Sequence, residues 1–104
     1  MQELPIACDM TALNAAQRER QQALMKSFHA FIQETKETDD GYAFRLAADT
    51  ETILFAAEFI TIERLCCPFF NFALEVGPTE APLWLKISGR EGVKEFIKME
   101  LGFE

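Results

Sequence analysis

A chain of 104 residues is sized for one domain, 1–104, and its 49% hydrophobic content, including ten Phe, is enough to build a core without disulfide staples. Intrinsic disorder is thereby excluded. The formal charge of −7, from 17 acidic against 10 basic side chains, gives no footprint for a phosphate backbone or an anionic bilayer surface, so neither nucleic acid nor membrane is an expected partner.

The opening MQELPIACDM has no basic stretch followed by a long apolar one, and no later run approaches the ~18 apolar residues that span a bilayer. A cytoplasmic location is the expectation. From about Thr11 to Lys36, Leu13, Ala16, Leu24, Phe28, Phe31 and Ile32 recur at spacings of three and four, which predicts one amphipathic helix. Thr38-Asp39-Asp40-Gly41 is a turn signal. Tyr42-Ala43-Phe44-Arg45-Leu46 then alternates as a half-buried strand does, with Tyr42, Phe44 and Leu46 inward.

Asp49 or Thr50 caps a second predicted helix that runs to about Cys66. Ile53, Leu54, Ala57, Phe59, Ile60, Ile62 and Leu65 make it apolar around most of its circumference, as in a central helix or one covered by a partner. Pro68 cannot continue helical hydrogen bonding and biases Cys67 away from the α region, so the helix should end at the cysteine pair. Phe70, Phe72, Leu74 and Val76 alternate with Phe69, Asn71, Ala73 and Glu75 as a strand. After the Gly77–Pro82 turn, Leu83, Leu85 and Ile87 form the inward set of a second strand, giving a hairpin. The last helix starts at Ser88 and Glu91, which stand at capping-box spacing, carries Val93, Phe96, Ile97 and Leu101 on one face, and stops at Gly102. The order helix, strand, helix, strand, strand, helix is met most economically by an α+β two-layer sandwich, in which helices cover a small, mainly antiparallel three-stranded sheet.

The residues able to carry chemistry concentrate at Glu63-Arg64-Leu65-Cys66-Cys67-Pro68-Phe69-Phe70. Three cysteines without an export signal argue against a disulfide framework and for free thiols. On a helix that persists through Cys66, Glu63 and Cys66 share a face, so a carboxylate and a sulfur converge. Thiolates suit Zn, Cu(I) or heavier thiophilic ions, and a carboxylate completes or tunes such a site. Adjacent cysteines, however, lack the C-x-x-C spacing that closes two thiolates on one tetrahedral ion. They equally fit a core corner, where Cys packs as a small hydrophobe. A helix C-terminus disfavours a thiolate, which argues against an activated nucleophile, although Arg64 offsets this.

Cys8 lies in an extended lead that could fold over the pair, and three sulfurs together would bind a trivalent arsenical or a mercuric ion strongly. His29, the single histidine, falls beside the apolar stripe and reads as a boundary residue. Glu58 and Glu63, five apart, point in different directions and do not form an acid and base pair. Gly89-Arg90-Glu91-Gly92 reads as a turn and not a phosphate loop. Trp84 and Lys86 share the hairpin face opposite Leu83, Leu85 and Ile87, and a Trp there fits under a helix or against a second subunit, so a homodimer is one expectation.

Ile6-Ala7-Cys8, Asp40-Gly41-Tyr42-Ala43-Phe44-Arg45, Glu63-Arg64-Leu65-Cys66-Cys67-Pro68-Phe69 and the run from Pro82 to Phe96 together resemble a family of small uncharacterised bacterial proteins marked by E-R-x-C-C-P-F. The resemblance covers almost the whole chain and implies that Cys8 belongs with Cys66 and Cys67. It also implies an association with MerR-type regulators or heavy-metal resistance genes. The leading expectation is therefore non-catalytic binding of a soft metal or metalloid ion through Cys8, Cys66 and Cys67, with Glu63 as supporting or fourth ligand. The alternatives are thiol redox or detoxification chemistry, with Cys66 or Cys67 as nucleophile and Cys8 resolving, and a structural or homodimeric module with buried cysteines.

Overall fold

The structure is a computed structural model and describes residues 6–102. Asn14 starts α1 (Ala15–Phe31) with a reciprocal cap, since its side chain accepts from the Gln17 amide at 2.8 Å while Gln17 accepts from the Asn14 amide at 2.9 Å. The helix is shorter than expected at both ends. Met10–Ala12 form a separate 3-10 turn, and Ile32–Glu37 form an edge strand, β1, in place of a last helical turn.

Strand β1 pairs with β2 (Gly41–Leu46) across the Thr38-Asp39-Asp40 turn, where the Thr38 amide donates to the Gly41 carbonyl at 2.9 Å. The chain then continues as α2 (Thr50–Cys66), β3 (Asn71–Glu75), β4 (Leu83–Ser88) and α3 (Val93–Leu101). The α+β class stands, but the sheet has four antiparallel strands in the order β1-β2-β4-β3 and not three. The added strand was hidden because Phe31 and Ile32 extend the helical spacing, while Gln33 to Glu37 bury almost nothing. Main-chain pairing with β2, helped by charged side chains such as Glu34 against Arg45 and Glu37 against Lys94, holds this edge.

One sheet face carries the expected inward residues, Tyr42, Phe44 and Leu46 of β2 and Leu83, Leu85 and Ile87 of β4, all buried. On it, the fully buried Phe28 of α1 meets the Phe44 ring edge-on at 5.2 Å and the Phe59 ring of α2 at 4.7 Å. Strands β2 and β4 approach so closely that a Cβ on Gly41 would collide with the Ile87 carbonyl oxygen. The opposite face is charged. There Glu34 pairs with Arg45 at 3.5 Å, Glu75 with Lys86 at 3.1 Å, and the Lys36 ammonium lies 5.0 Å from the centre of the Trp84 ring. Trp84 is thus half-buried beneath a neighbouring lysine rather than beneath a helix.

Three further expectations change. Helix α2 buries Thr52, Phe55, Ala56, Phe59, Ile62, Glu63 and Cys66 and turns Leu54 outward at 65% exposure, so it lies on the core with a wet outer side. Val76 falls beyond β3 and is exposed. Helix α3 begins at Gly92, whose φ of 95° needs glycine, and no side-chain cap forms, so Ser88 and Glu91 do not make a capping box. Gly102 ends α3 at φ 66°, as its position predicted. No helix among the described residues is long and apolar enough to cross a membrane.

Candidate metal centre

The site is built where α2 stops. Asp49 caps its start, accepting from the Thr52 amide at 2.8 Å, and after the seventeen helical residues Pro68 forbids another turn. Cys66 is therefore the last helical residue and Cys67 leaves the helix at φ −125° and ψ 69°, while its amide still donates to the Glu63 carbonyl at 2.8 Å. This break turns two consecutive side chains to one side. Their sulfurs stand 3.9 Å apart, close to the edge of about 3.8 Å that a tetrahedral ion with ~2.3 Å bonds to sulfur requires. The expected difficulty of closing adjacent cysteines on one ion does not arise at a helix end, where the second residue is free of helical geometry.

A helix end also leaves carbonyls without partners. The Cys66 carbonyl is satisfied from far along the chain, by the Asp9 amide at 2.8 Å. Asp9 itself is fixed as the cap of the 3-10 turn, accepting from the Thr11 amide at 3.0 Å. This clasp sets Cys8 beside the pair, and the ligand atoms of Cys8, Cys66 and Cys67 all lie within 4.8 Å of one another. All three cysteines are free; Cys66 and Cys67 are buried, and Cys8 is partly exposed.

Two carboxyl groups border the sulfurs. Glu63, only 2% exposed, has an oxygen 3.8 Å from the Cys66 sulfur, one helical turn away, as the i to i+3 spacing predicted. The buried Gln21 of α1 donates to that same oxygen at 3.2 Å. Burial, reinforced by negative charge on Cys66, pushes the Glu63 carboxyl up to about 7. Glu100 of α3 accepts from the Cys8 thiol at 3.7 Å. Neither carboxylate belongs to the close three-sulfur group.

The thiols act as a unit. Hydrogen bonds from Cys67 and then Cys8 hold the Cys66 thiol well below the usual range, and bonding to Cys66 pushes both Cys8 and Cys67 up. The proton affinity of each thiol is thus set by its neighbouring sulfurs. Chemically, the arrangement offers three soft donors to a single ion, with a partly open approach at Cys8.

Sequence reasoning missed Gln21 and Glu100. Gln21 was findable, because it sits three before Leu24 and seven before Phe28 on the buried stripe of α1, where a polar residue needs a partner. Glu100 left no signal, since it meets Cys8 across 92 positions of chain. His29 is exposed and takes no part among the three sulfurs, consistent with a boundary residue. Glu58 faces away, in a two-pronged pair with Arg20 at 2.6 Å, and Gly89 serves the turn by donating to the Asp40 carbonyl at 3.1 Å. The fold and the site together define a small α+β protein with a preformed three-thiol cluster. No protein-family model, curated protein or solved structure matches the chain.

Proposed function

We propose that the protein binds a thiophilic metal or metalloid ion, without catalysing a reaction, through Cys8, Cys66 and Cys67, with Glu63 supporting the site from beside Cys66. The observation that carries this reading is the convergence of three free sulfurs within 4.8 Å of one another, one of them delivered from the distant N-terminal segment. A corner packed only for its bulk does not call for that third thiol. The resemblance of the E-R-x-C-C-P-F block to proteins associated with heavy-metal resistance agrees with it, and a cytoplasmic role in heavy-metal response is the corresponding setting.

Titrating the reduced protein with Zn, Cu(I), Hg(II) and arsenite while counting free thiols tests the proposal. The expected result is loss of thiol reactivity together with a rise in melting temperature for at least one ion. Unchanged reactivity and melting with all four removes it. The lowered Cys66 thiol favours a second reading, thiol redox or detoxification chemistry with Cys66 as nucleophile and Cys8 as resolving thiol. That reading requires iodoacetamide to label the native protein, and labelling only after denaturation excludes it.

A further inference from the structure

We infer that the cluster is matched to a trivalent metalloid, arsenite or antimonite, bound as a neutral three-thiolate complex, in preference to a divalent ion; the inference rests on the ion-binding reading above and narrows it.

Coordination number is the first ground. Among the described residues, the donors that share one close group are three sulfurs, with no histidine and no carboxylate oxygen inside it. A structural zinc site takes four protein ligands. Glu63 touches the Cys66 sulfur at 3.8 Å but is held by Gln21, and Glu100 touches the Cys8 sulfur at 3.7 Å, so the two acids border the triangle without joining it. Trivalent arsenic and antimony bind three sulfurs in a pyramid and fill their fourth direction with a lone pair. The three donors present are then a complete set.

Charge is the second ground. Three thiolates around a divalent ion leave a net charge of −1, and around Cu(I) a net charge of −2. Here that charge would sit in a site with two buried cysteines, bordered by two acids, in a chain already at −7. An uncompensated buried charge is costly. The trivalent complex carries none.

The exchange balances without an oxidant or a reductant. Arsenite enters as its neutral trihydroxide; three S–H and three As–O bonds break, three As–S bonds form, and the three protons leave on the three hydroxides as water. A thiol already ionised is balanced by one proton taken from solvent. Arsenic stays trivalent throughout. The buried Cys66 and Cys67, 3.9 Å apart, supply two of the bonds, and the partly exposed Cys8 supplies the other.

The test uses the full reduced protein with sodium arsenite, ZnCl2 and HgCl2 as probes, thiol counting as one readout and arsenic X-ray absorption as the other. Expected are three thiols lost per arsenite, three As–S bonds, retention of arsenite against a 100-fold excess of zinc, and an affinity at least 100-fold weaker in Cys8→Ser. Cys8 is partly exposed, so this variant should keep its melting temperature; Cys67→Ser is the second variant and should show the same loss. Two thiols lost per arsenite, displacement by zinc, or unchanged affinity in both variants overturns the inference. If zinc or mercury protects the three thiols and arsenite does not, this inference alone falls. If no probe protects them, the ion-binding reading falls with it.

Discussion

Glu63 shows how much chemistry one buried side chain imports. Its carboxyl is almost fully covered, receives one hydrogen bond from Gln21, and lies against the Cys66 sulfur, and burial raises it to about 7. The folded protein therefore holds the Glu63 proton more tightly than the unfolded chain does. Stability from this residue is fully present below the unfolded value of 4.5 and is lost as pH rises through about 7. A glutamine amide in its place would stay neutral throughout. Glu63→Gln should accordingly melt close to wild type at pH 5 and above it at pH 8 in the ion-free protein, as read by calorimetry. A constant offset across that range would contradict the assignment. The alignment of Glu63 with Cys66 was legible in the sequence from helical spacing, and the helix stop was legible from Pro68. Glu100 was not, because its place is set by tertiary docking and leaves no local pattern, and for the same reason Cys8 was expected there only through the family resemblance and not from spacing.

At the scale of elements, legibility followed side-chain burial. Strand β2, helix α2 and the β3–β4 hairpin each bury a periodic set, and each was readable to within a few residues. Strand β1 buries almost nothing and is held by pairing its backbone with β2, so it wrote no apolar period into the sequence and was absorbed into the preceding helix. The capping-box pattern at Ser88 and Glu91 failed for the converse reason: the backbone needed the left-handed Gly92 to swing α3 onto the sheet, and this overrode the side-chain signal. The close central pairing of β2 and β4 makes a specific demand on Gly41. A methyl group there meets the Ile87 carbonyl and, at 2.7 Å, the Ser88 Cα. Gly41→Ala should lower stability by about 1–3 kcal/mol, the usual cost of overpacking, measured as a shift in the urea midpoint. An unchanged midpoint would mean that the two strands can part without loss.

For the whole molecule, the N-terminal segment and the end of α2 meet at the sulfurs, with Glu100 of α3 alongside, so an ion there ties two distant parts of the chain together. Binding to the folded state at 100 times the dissociation constant adds about 2.7 kcal/mol, or roughly 10 °C or more in melting temperature for a domain of this size. The unfolded chain keeps only the adjacent pair as a chelate, since bringing Cys8 to Cys66 would require closing the long intervening loop. Calorimetry with and without the ion should show that rise in wild type and most of it missing in Cys8→Ser; equal shifts would mean that Cys8 adds nothing. The clasp between the Asp9 amide and the Cys66 carbonyl has a kinetic corollary. With all three sulfurs engaged, an ion pins the leading segment, and any lifting of that segment exposes that one amide to solvent. Deuterium uptake at Asp9 is therefore a gauge of the site: it should slow when an ion holds all three sulfurs and keep its ion-free rate in Cys8→Ser.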